Sequence, residues 1–274
     1  RNSRREPVMG TSLDGHKARK RFGQNFLVDS FWIDKLARAV GAKPGDDIVE
    51  IGPGKAALTR HLLDGAGKVR AVEIDRDLAA WLRSEFPESL TLIEADALTI
   101  DWKDLAEKSG HLRIVANLPY NISSPLLFSL LPAASCVLDQ HFMLQREVVD
   151  RMAAAPGSKT YGRLSVMLQW RYRITKLFDV PAGAFRPVPE VVSAFVRMKP
   201  KDESEIYPVY FSVFSRVVTH AFTQRRKTLR NALSAILTED AICSCGIDPS
   251  LRAETIPVKG FVALARCAAE QSHS

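Results

Sequence analysis

The run Asp47-Ile48-Val49-Glu50-Ile51 passes directly into Gly52-Pro53-Gly54-Lys55-Ala56-Ala57 and then into helical sequence carrying Leu58, His61, Leu62 and Leu63. No other stretch constrains the fold as strongly. A short β-rich run, a Gly-x-Gly-x-x-Ala spacing and a helix make the sharp strand-to-helix turn of a nucleotide-binding βαβ unit. Glycine permits the turn and leaves no Cβ between the backbone and an approaching ligand. A second β-rich run, Val69 to Ile74, carries Glu73 near its end, about twenty residues on. A carboxylate there is placed to accept hydrogen bonds from ribose hydroxyls.

The rest of the chain extends this unit. A helix over 31–41 has Phe31, Ile33, Leu36, Ala37 and Val40 at helical spacing, Asp29 or Ser30 as its cap, and Gly41 as its stop. A helix follows from Asp75 to Phe86. Further strands are expected at Leu90 to Ile93, ending near Asp96, at Leu112 to Ala116, and at Val137 to Leu144. Strands alternating with helices imply parallel βαβ units with both sheet faces covered.

From residue 157 the pattern changes. Tyr161 to Trp170 reads as helix, and Ile174 to Val180 and Val191 to Met198 as strands. The connection Pro181 to Pro189 has three prolines and cannot be a helix. The two strands therefore join without a helix and run antiparallel. Pro200 to Ser204 has linker composition, and helices are expected at Tyr207 to Phe222, Thr228 to Leu237 and Pro257 to Glu270. The division is a basic N-terminal arm (1–21), an α/β domain (22–203) and a small all-α C-terminal domain (204–274).

Several classes are disfavoured. No run approaches the roughly 18 apolar residues of a membrane helix, and the N-terminus has no apolar signal core. Cys243 and Cys245 lack zinc-ribbon spacing, and the six histidines (16, 61, 111, 141, 220, 273) show no catalytic or metal spacing, so no metal site is expected. Ser165 and Ser193 have no His/Asp arrangement behind them. Reduced thiols and a cytoplasmic location are the expectation. The net charge of +7 points to an acidic partner such as nucleic acid. Residues 1–25 hold seven Lys/Arg against two acids. Two basic clusters are candidate RNA contacts: Lys17, Arg19, Lys20 and Arg21, and Arg225, Arg226, Lys227 and Arg230. Arg226 and Arg230, four apart on the expected helix, would share a face.

NAD and S-adenosylmethionine both satisfy the glycine turn and Glu73. Glu50 just before the glycines, and Asp96 placed to accept from an adenine amino group, favour the methyl donor. The fourth strand then ends in Asn117-Leu118-Pro119-Tyr120, beside the cofactor crevice of an open sheet. The Asn117 side-chain oxygen and the Leu118 carbonyl can accept the two N–H bonds of an exocyclic amine, Pro119 stiffens the turn, and Tyr120 offers a face for stacking.

Here the chain resembles a known family. Asn117-Leu118-Pro119-Tyr120 is similar to the Asn-Pro-Pro-Tyr motif of amino-methyltransferases acting on adenine N6, with Leu118 where DNA enzymes often have proline. Gly23 to Leu27, Glu50 to Gly54, Asn117 to Ile122, and Phe185-x-Pro187-x-Pro189-x-Val191-x-Ser193 together resemble the KsgA-type ribosomal RNA adenine dimethyltransferases, over about residues 16–236. The resemblance implies a Rossmann-like class I S-adenosylmethionine-dependent methyltransferase fold with a seven-stranded, mostly parallel sheet. It implies that Asn25, Leu27, Gly52, Gly54, Glu73, Asp96 and Asn117 line the S-adenosylmethionine site, and that Phe185 packs on the target base opposite Tyr120. It further implies dimethylation of N6 on two adjacent adenosines in the 3′-terminal hairpin of small-subunit rRNA, within an immature small subunit, by a monomer. A large-subunit rRNA methylase of the antibiotic-resistance type, a DNA adenine methyltransferase, and a non-catalytic assembly or transcription factor on the same fold are the alternatives.

Overall fold

The structure, a computed structural model, describes residues 24–272. The N-terminal arm and the cluster Lys17, Arg19, Lys20 and Arg21 lie outside the described residues. Chain order is β1 (Phe26–Leu27), α1 (Ser30–Val40), β2 (Asp47–Ile51), α2 (Ala57–Ala66), β3 (Val69–Glu73), α3 (Arg76–Glu85), β4 (Leu90–Glu94), α4 (Trp102–Ser109), β5 (Leu112–Asn117) and α5 (Ser123–Ser129). It continues with β6 (Val137–Gln145), α6 (Arg146–Met152), α7 (Arg163–Arg171), β7 (Tyr172–Val180), β8 (Phe185–Arg186) and β9 (Ser193–Pro200). Four helices close it: α8 (Phe211–Thr223), α9 (Leu229–Ala232), α10 (Glu239–Ser244) and α11 (Val258–Gln271).

Seven strands pair in the order β4-β3-β2-β5-β6-β9-β7. The strands β2 to β6 are mutually parallel, and β9 runs antiparallel to both β6 and β7. The expected antiparallel pair is thus present, with β9 inserted between β6 and β7. In β2, β3 and β5 nearly every residue is buried, because helices cover both faces and leave no solvent side for alternation. The order reverses between β2 and β5, so the crevice at their carboxyl ends is the topological switch point. This is a Rossmann-like, doubly wound α/β fold with one antiparallel strand inserted near an edge of the sheet.

Local signals explain the helix bounds. Asp29 accepts from the Phe31 and Trp32 amides at 2.9 and 3.4 Å, and Gly41 closes α1 at φ +60°. Asp75 likewise caps α3, through the Asp77 and Leu78 amides. The helix expected from Tyr207 starts only at Phe211, after Pro208, whose ring disfavours helical geometry at Tyr207.

The helix expected over Thr228 to Leu237 is a correction: only Leu229–Ala232 is α-helical. Thr228 bridges Arg252, and the Leu229 and Arg230 amides donate to the Leu251 and Pro249 carbonyls. Those bonds pin the start of the segment, and tighter turns carry it to Leu237. Leu229, Leu233 and Leu237 all remain buried, so the apolar spacing is honoured without a continuous helix. Arg226 therefore precedes the helix that holds Arg230, and the two do not share a helical face.

Apolar side chains gather into three cores. Two flank the sheet, and the third joins Phe214, Val218, Leu229 and Phe261 of the C-terminal helices to Tyr161, Val166 and Met167. No helix among the described residues is long and apolar enough to cross a membrane.

Candidate active site

The carboxyl end of β2 opens the site. Gly52, Gly54 and Ala56 have φ of +68°, +57° and +66°, so alternate residues of the turn are left-handed. At Gly54 the conformation and the space agree: an added Cβ would lie 3.1 Å from the Phe26 ring. Ala56 adopts the same region with a side chain, which costs roughly 1–2 kcal/mol, and is wholly buried. The coil of the turn points the Gly54 amide at the Glu73 carboxylate, Oε1 accepting at 3.1 Å. The other oxygen, Oε2, accepts from the Asp75 amide at 3.0 Å. Burial pushes the Glu73 carboxyl above its ordinary range, while these amide bonds pull the other way.

Glu50 sits behind the turn, 3 % exposed, and accepts from the Thr59 hydroxyl at 2.5 Å. Burial lifts its carboxyl to about 7; the Thr59 bond opposes this, and the nearby Glu73 charge adds to it. Asp96, beyond the end of β4, caps a short turn through the Leu98 amide at 2.9 Å and also faces the cavity.

Asn117 is the last residue of β5. Its Nδ2 donates to the Asn25 carbonyl at 3.3 Å, which commits the amide nitrogen and leaves Oδ1 as the acceptor end. The Leu118 amide donates to the Met143 carbonyl at 3.2 Å, tying the turn to β6. Pro119 leads into a single helical turn over Tyr120–Ile122. The Tyr120 hydroxyl meets the Ser193 hydroxyl at 3.0 Å, at the first residue of β9. Ser193, unremarkable as a nucleophile, thus anchors the ring of the Asn-Leu-Pro-Tyr turn.

Two distant sequence motifs meet at the other wall. β1 pairs antiparallel with β8, Leu27 opposite Phe185 and Phe26 opposite Arg186. The Val28 amide adds a bond to the Ala184 carbonyl at 2.9 Å. This strap holds Asn25 and Leu27 over the crevice. Phe185 is only 1 % exposed and belongs to a sheet-face core, yet it lines the cavity as well.

Asn25, Leu27, Gly52, Gly54, Glu73, Asp96, Asn117, Leu118, Pro119, Tyr120 and Phe185 all line one cavity of about 450 Å³. That size suits a small organic cofactor. The same cavity is lined by Glu50, which the sequence marked only as an acid before the glycines, and by Gln24, Phe26, Lys55 and Ile122, to which the sequence assigned no site role. Glu50 and Phe26 had a signal, one beside the glycines and one inside the Gly-Gln-Asn-Phe-Leu run. The Thr59 and Ser193 contacts had none, since each depends on tertiary placement.

The C-terminal basic cluster divides. Arg225 bonds Glu254 at 3.2 Å and the Lys159 carbonyl at 2.6 Å, and Arg230 pairs with Glu239 at 3.2 Å. Arg226 and Lys227 are exposed and have no ion pair among the described residues.

Known proteins resemble this chain over most of its length. A small-subunit ribosomal RNA methyltransferase A from Acinetobacter baylyi is 55% identical over 253 residues, 92% of each chain. One from Bordetella petrii is 56% identical over 256 residues, 92% of this chain and 95% of the relative. The crystal structure of a dimethyladenosine transferase from Plasmodium falciparum superposes with TM-score 0.77 at 24% identity, covering 90% of this chain and 98% of the other, and supports the fold. The ribosomal RNA adenine dimethylase family matches residues 15–270. With so much of the chain aligned and the glycine turn, the strap and the Asn-Leu-Pro-Tyr turn on one cavity, this protein belongs to the ribosomal RNA adenine dimethylase family.

Proposed function

We propose that the protein is an S-adenosylmethionine-dependent dimethyltransferase acting on N6 of two adjacent adenosines in the 3′-terminal hairpin loop of small-subunit rRNA, during small-subunit biogenesis. One observation carries the reading: a donor wall (Gly52, Gly54, Glu73, Asp96) and an acceptor wall (Asn117 to Tyr120) face a single cavity. Family membership and the names of the relatives supply rRNA and the second methyl group. An immature small subunit as the partner, a monomeric enzyme and a cytoplasmic location belong to the same proposal. So does the division into an arm (1–21), a catalytic domain (22–203) and a helical domain (204–274).

The residues fit the cofactor. Gly52 and Gly54 leave a cradle that a Cβ would narrow. Glu73 would accept from the ribose diol, each carboxylate oxygen keeping a lone pair beyond its amide bond, and Asp96 from the adenine amine. Asn25 and Leu27 would close the cavity from the strap. When bound, S-adenosylmethionine supplies a methyl group on a sulfonium centre, open to in-line attack by a nitrogen lone pair.

The target base must leave its stack to enter. Tyr120, its hydroxyl held by Ser193, gives the base a stacking face, worth about 1–3 kcal/mol. Phe185 would meet it deeper inside. Asn117 Oδ1 and the Leu118 carbonyl accept the two amine N–H bonds and draw N6 toward tetrahedral geometry, which localises the lone pair. Orientation of this kind contributes roughly 7–11 kcal/mol in favourable cases, and acceptors aimed at the developing ammonium add electrostatic stabilisation. The proton becomes acidic once N6 is alkylated, so no strong base is required. Exposed cations would position the RNA through its phosphates.

The test is incubation with unmethylated small subunits and labelled S-adenosylmethionine, followed by mass mapping. Two adjacent dimethyladenosines near the rRNA 3′ end are expected. Bound RNA without incorporation, or methylation confined to large-subunit rRNA, would overturn the proposal.

A further inference from the structure

Several donors crowd one carbonyl between α10 and α11. The Ala241 oxygen accepts from the Ser244 hydroxyl at 2.7 Å, the Cys245 thiol at 3.2 Å, the Cys245 amide at 3.3 Å and the Cys267 thiol at 3.7 Å. A carbonyl oxygen has two lone pairs, so the hydroxyl and the amide already satisfy it and the thiols are surplus. Cys245 directly follows α10 and Cys267 lies on α11, so one oxygen draws together sulfurs from two elements. The Cys245 thiol also reaches the Ala263 carbonyl at 3.6 Å, one helical turn before Cys267 on the same face of α11. Both sulfurs are half-buried, and both pack against the core of the C-terminal helices. Burial, with the Cys267 thiol bonded beside it, pushes the Cys245 thiol up to about 12.

We propose that Cys245 and Cys267 are a reversible redox site, which hydrogen peroxide oxidises to a disulfide joining the end of α10 to α11. A thiol held protonated by burial is a poor nucleophile, which assigns the first step to Cys267. Cys267, as thiolate, attacks one peroxide oxygen. An S–O bond forms, the O–O bond breaks, and the departing hydroxide takes up the released proton as water. The Cys245 sulfur then attacks the sulfenic sulfur. The S–S bond forms, the S–O bond breaks, and hydroxide leaves with the Cys245 proton as a second water. Two thiols are oxidised and one peroxide is reduced. The Ala241 oxygen keeps the Ser244 hydroxyl and the Cys245 amide, so no buried acceptor loses its last donor. In a reducing compartment the bond is transient, and a dithiol reverses it by exchange. The disulfide closes a loop over residues 246–266. Within that loop, the Glu254 carbonyl holds the Gly157 amide and the Ile256 carbonyl holds the Tyr161 hydroxyl, each at 2.7 Å.

The test treats the reduced full chain with hydrogen peroxide, blocks the remaining thiols by alkylation, and maps linked peptides by mass spectrometry. A Cys245–Cys267 link within one chain, with the loss of two hydrogens and reversal by dithiothreitol, is expected. Closing the loop should also raise the urea unfolding midpoint and slow amide hydrogen exchange over residues 246–257. In Cys245→Ser the sulfenic acid on Cys267 should persist and be trapped by dimedone. Cys267→Ser should form no such link, and peroxide should leave its midpoint unchanged. Peroxide-treated protein in which Cys245 and Cys267 are both still alkylated would overturn the proposal. Cys267 driven to sulfinic acid while Cys245 stays alkylated would do the same, as would links formed only between chains through the exposed Cys243.

Discussion

Replacing Glu50 by glutamine isolates the energetic cost of the buried carboxyl behind the glycine turn. The folded carboxyl titrates at about 7 against an ordinary value of 4.5, chiefly because burial disfavours its charge. Below the unfolded value it is protonated in both states and contributes no pH dependence. As pH rises from there, the unfolded chain gives up its proton first, so the folded state loses stability until the folded group also ionises. Above about pH 7 the whole penalty is present. A gap of roughly 2.5 units at about 1.4 kcal/mol per unit gives a cost on the order of 3 kcal/mol.

Glutamine keeps the shape, can still accept from Thr59, and carries no charge at any pH. The stability gained by Glu50→Gln should therefore grow by about 3 kcal/mol between about pH 4.5 and about pH 8, with most of the rise near pH 5–7. Urea unfolding of the cofactor-free protein at several pH values measures it. Glu73, raised in the same direction, is present in both proteins and largely cancels in the difference. A stability difference that is flat with pH would refute the reasoning, and so would one that shrinks as pH rises.

Three further outcomes are expected. Gly54→Ala places a Cβ 3.1 Å from the Phe26 ring at φ +57°, and should weaken S-adenosylmethionine binding at least about tenfold by calorimetry, from a strain of roughly 1–2 kcal/mol plus the clash. Asn117→Ala removes one of the two amine acceptors, and should lower single-turnover methyl transfer by about 10²–10³ while RNA affinity stays within a few-fold; equal activity would strip Asn117 of its role. Ser193→Ala leaves the Tyr120 hydroxyl without its partner, and should reduce kcat about tenfold with cofactor affinity unchanged; a selective loss of cofactor affinity would place Ser193 elsewhere in the mechanism.

The chain's local chemistry made the α/β layer legible. Asp29 and Asp75 are caps, Gly41 is a stop, and the strand runs at 47–51, 69–73 and 112–117 are apolar because both sheet faces are covered. The site was legible where a motif forces a conformation, as at Gly52 and Gly54, or where it ends a strand, as at Glu73 and Asn117. It was illegible where two distant segments had to be brought together. Nothing local in Ser193 announces Tyr120, and nothing in Phe26 announces the Gly54 approach. The C-terminal helices misled as well: Leu229, Leu233 and Leu237 have helical spacing, but beyond Ala232 the Ser234 and Ile236 amides donate three residues back, to Asn231 and Leu233, and the segment continues as turns. Charge counting likewise gave no sign that Arg225 and Arg230 pair with Glu254 and Glu239, 29 and 9 residues away.

Several unfavourable features lie where ligands would meet. Glu50 and Glu73 are two carboxyls in nearly dry surroundings, and Ala56 holds a conformation that glycine would adopt at lower cost. Glu50 lies on β2, Ala56 in the turn that follows it, and Glu73 at the end of β3 beside it. A sequence selected for stability alone would replace them readily, with glutamine at 50 or glycine at 56. His141 is a buried polar group remote from the cavity, and it shows the contrast. Burial lowers its ring to about 4, so it stays neutral and accepts from Arg197 Nε at 2.9 Å without a charge to solvate. Glu50 escapes only partly near neutral pH: burial carries its carboxyl to about 7 while the Thr59 bond opposes the rise, and the amide bonds to Glu73 likewise oppose the upward push of burial there. Cores on both sheet faces hold them in place, and under the proposed function the cost at Glu73 maintains a carboxylate whose spare lone pairs would meet a ribose diol.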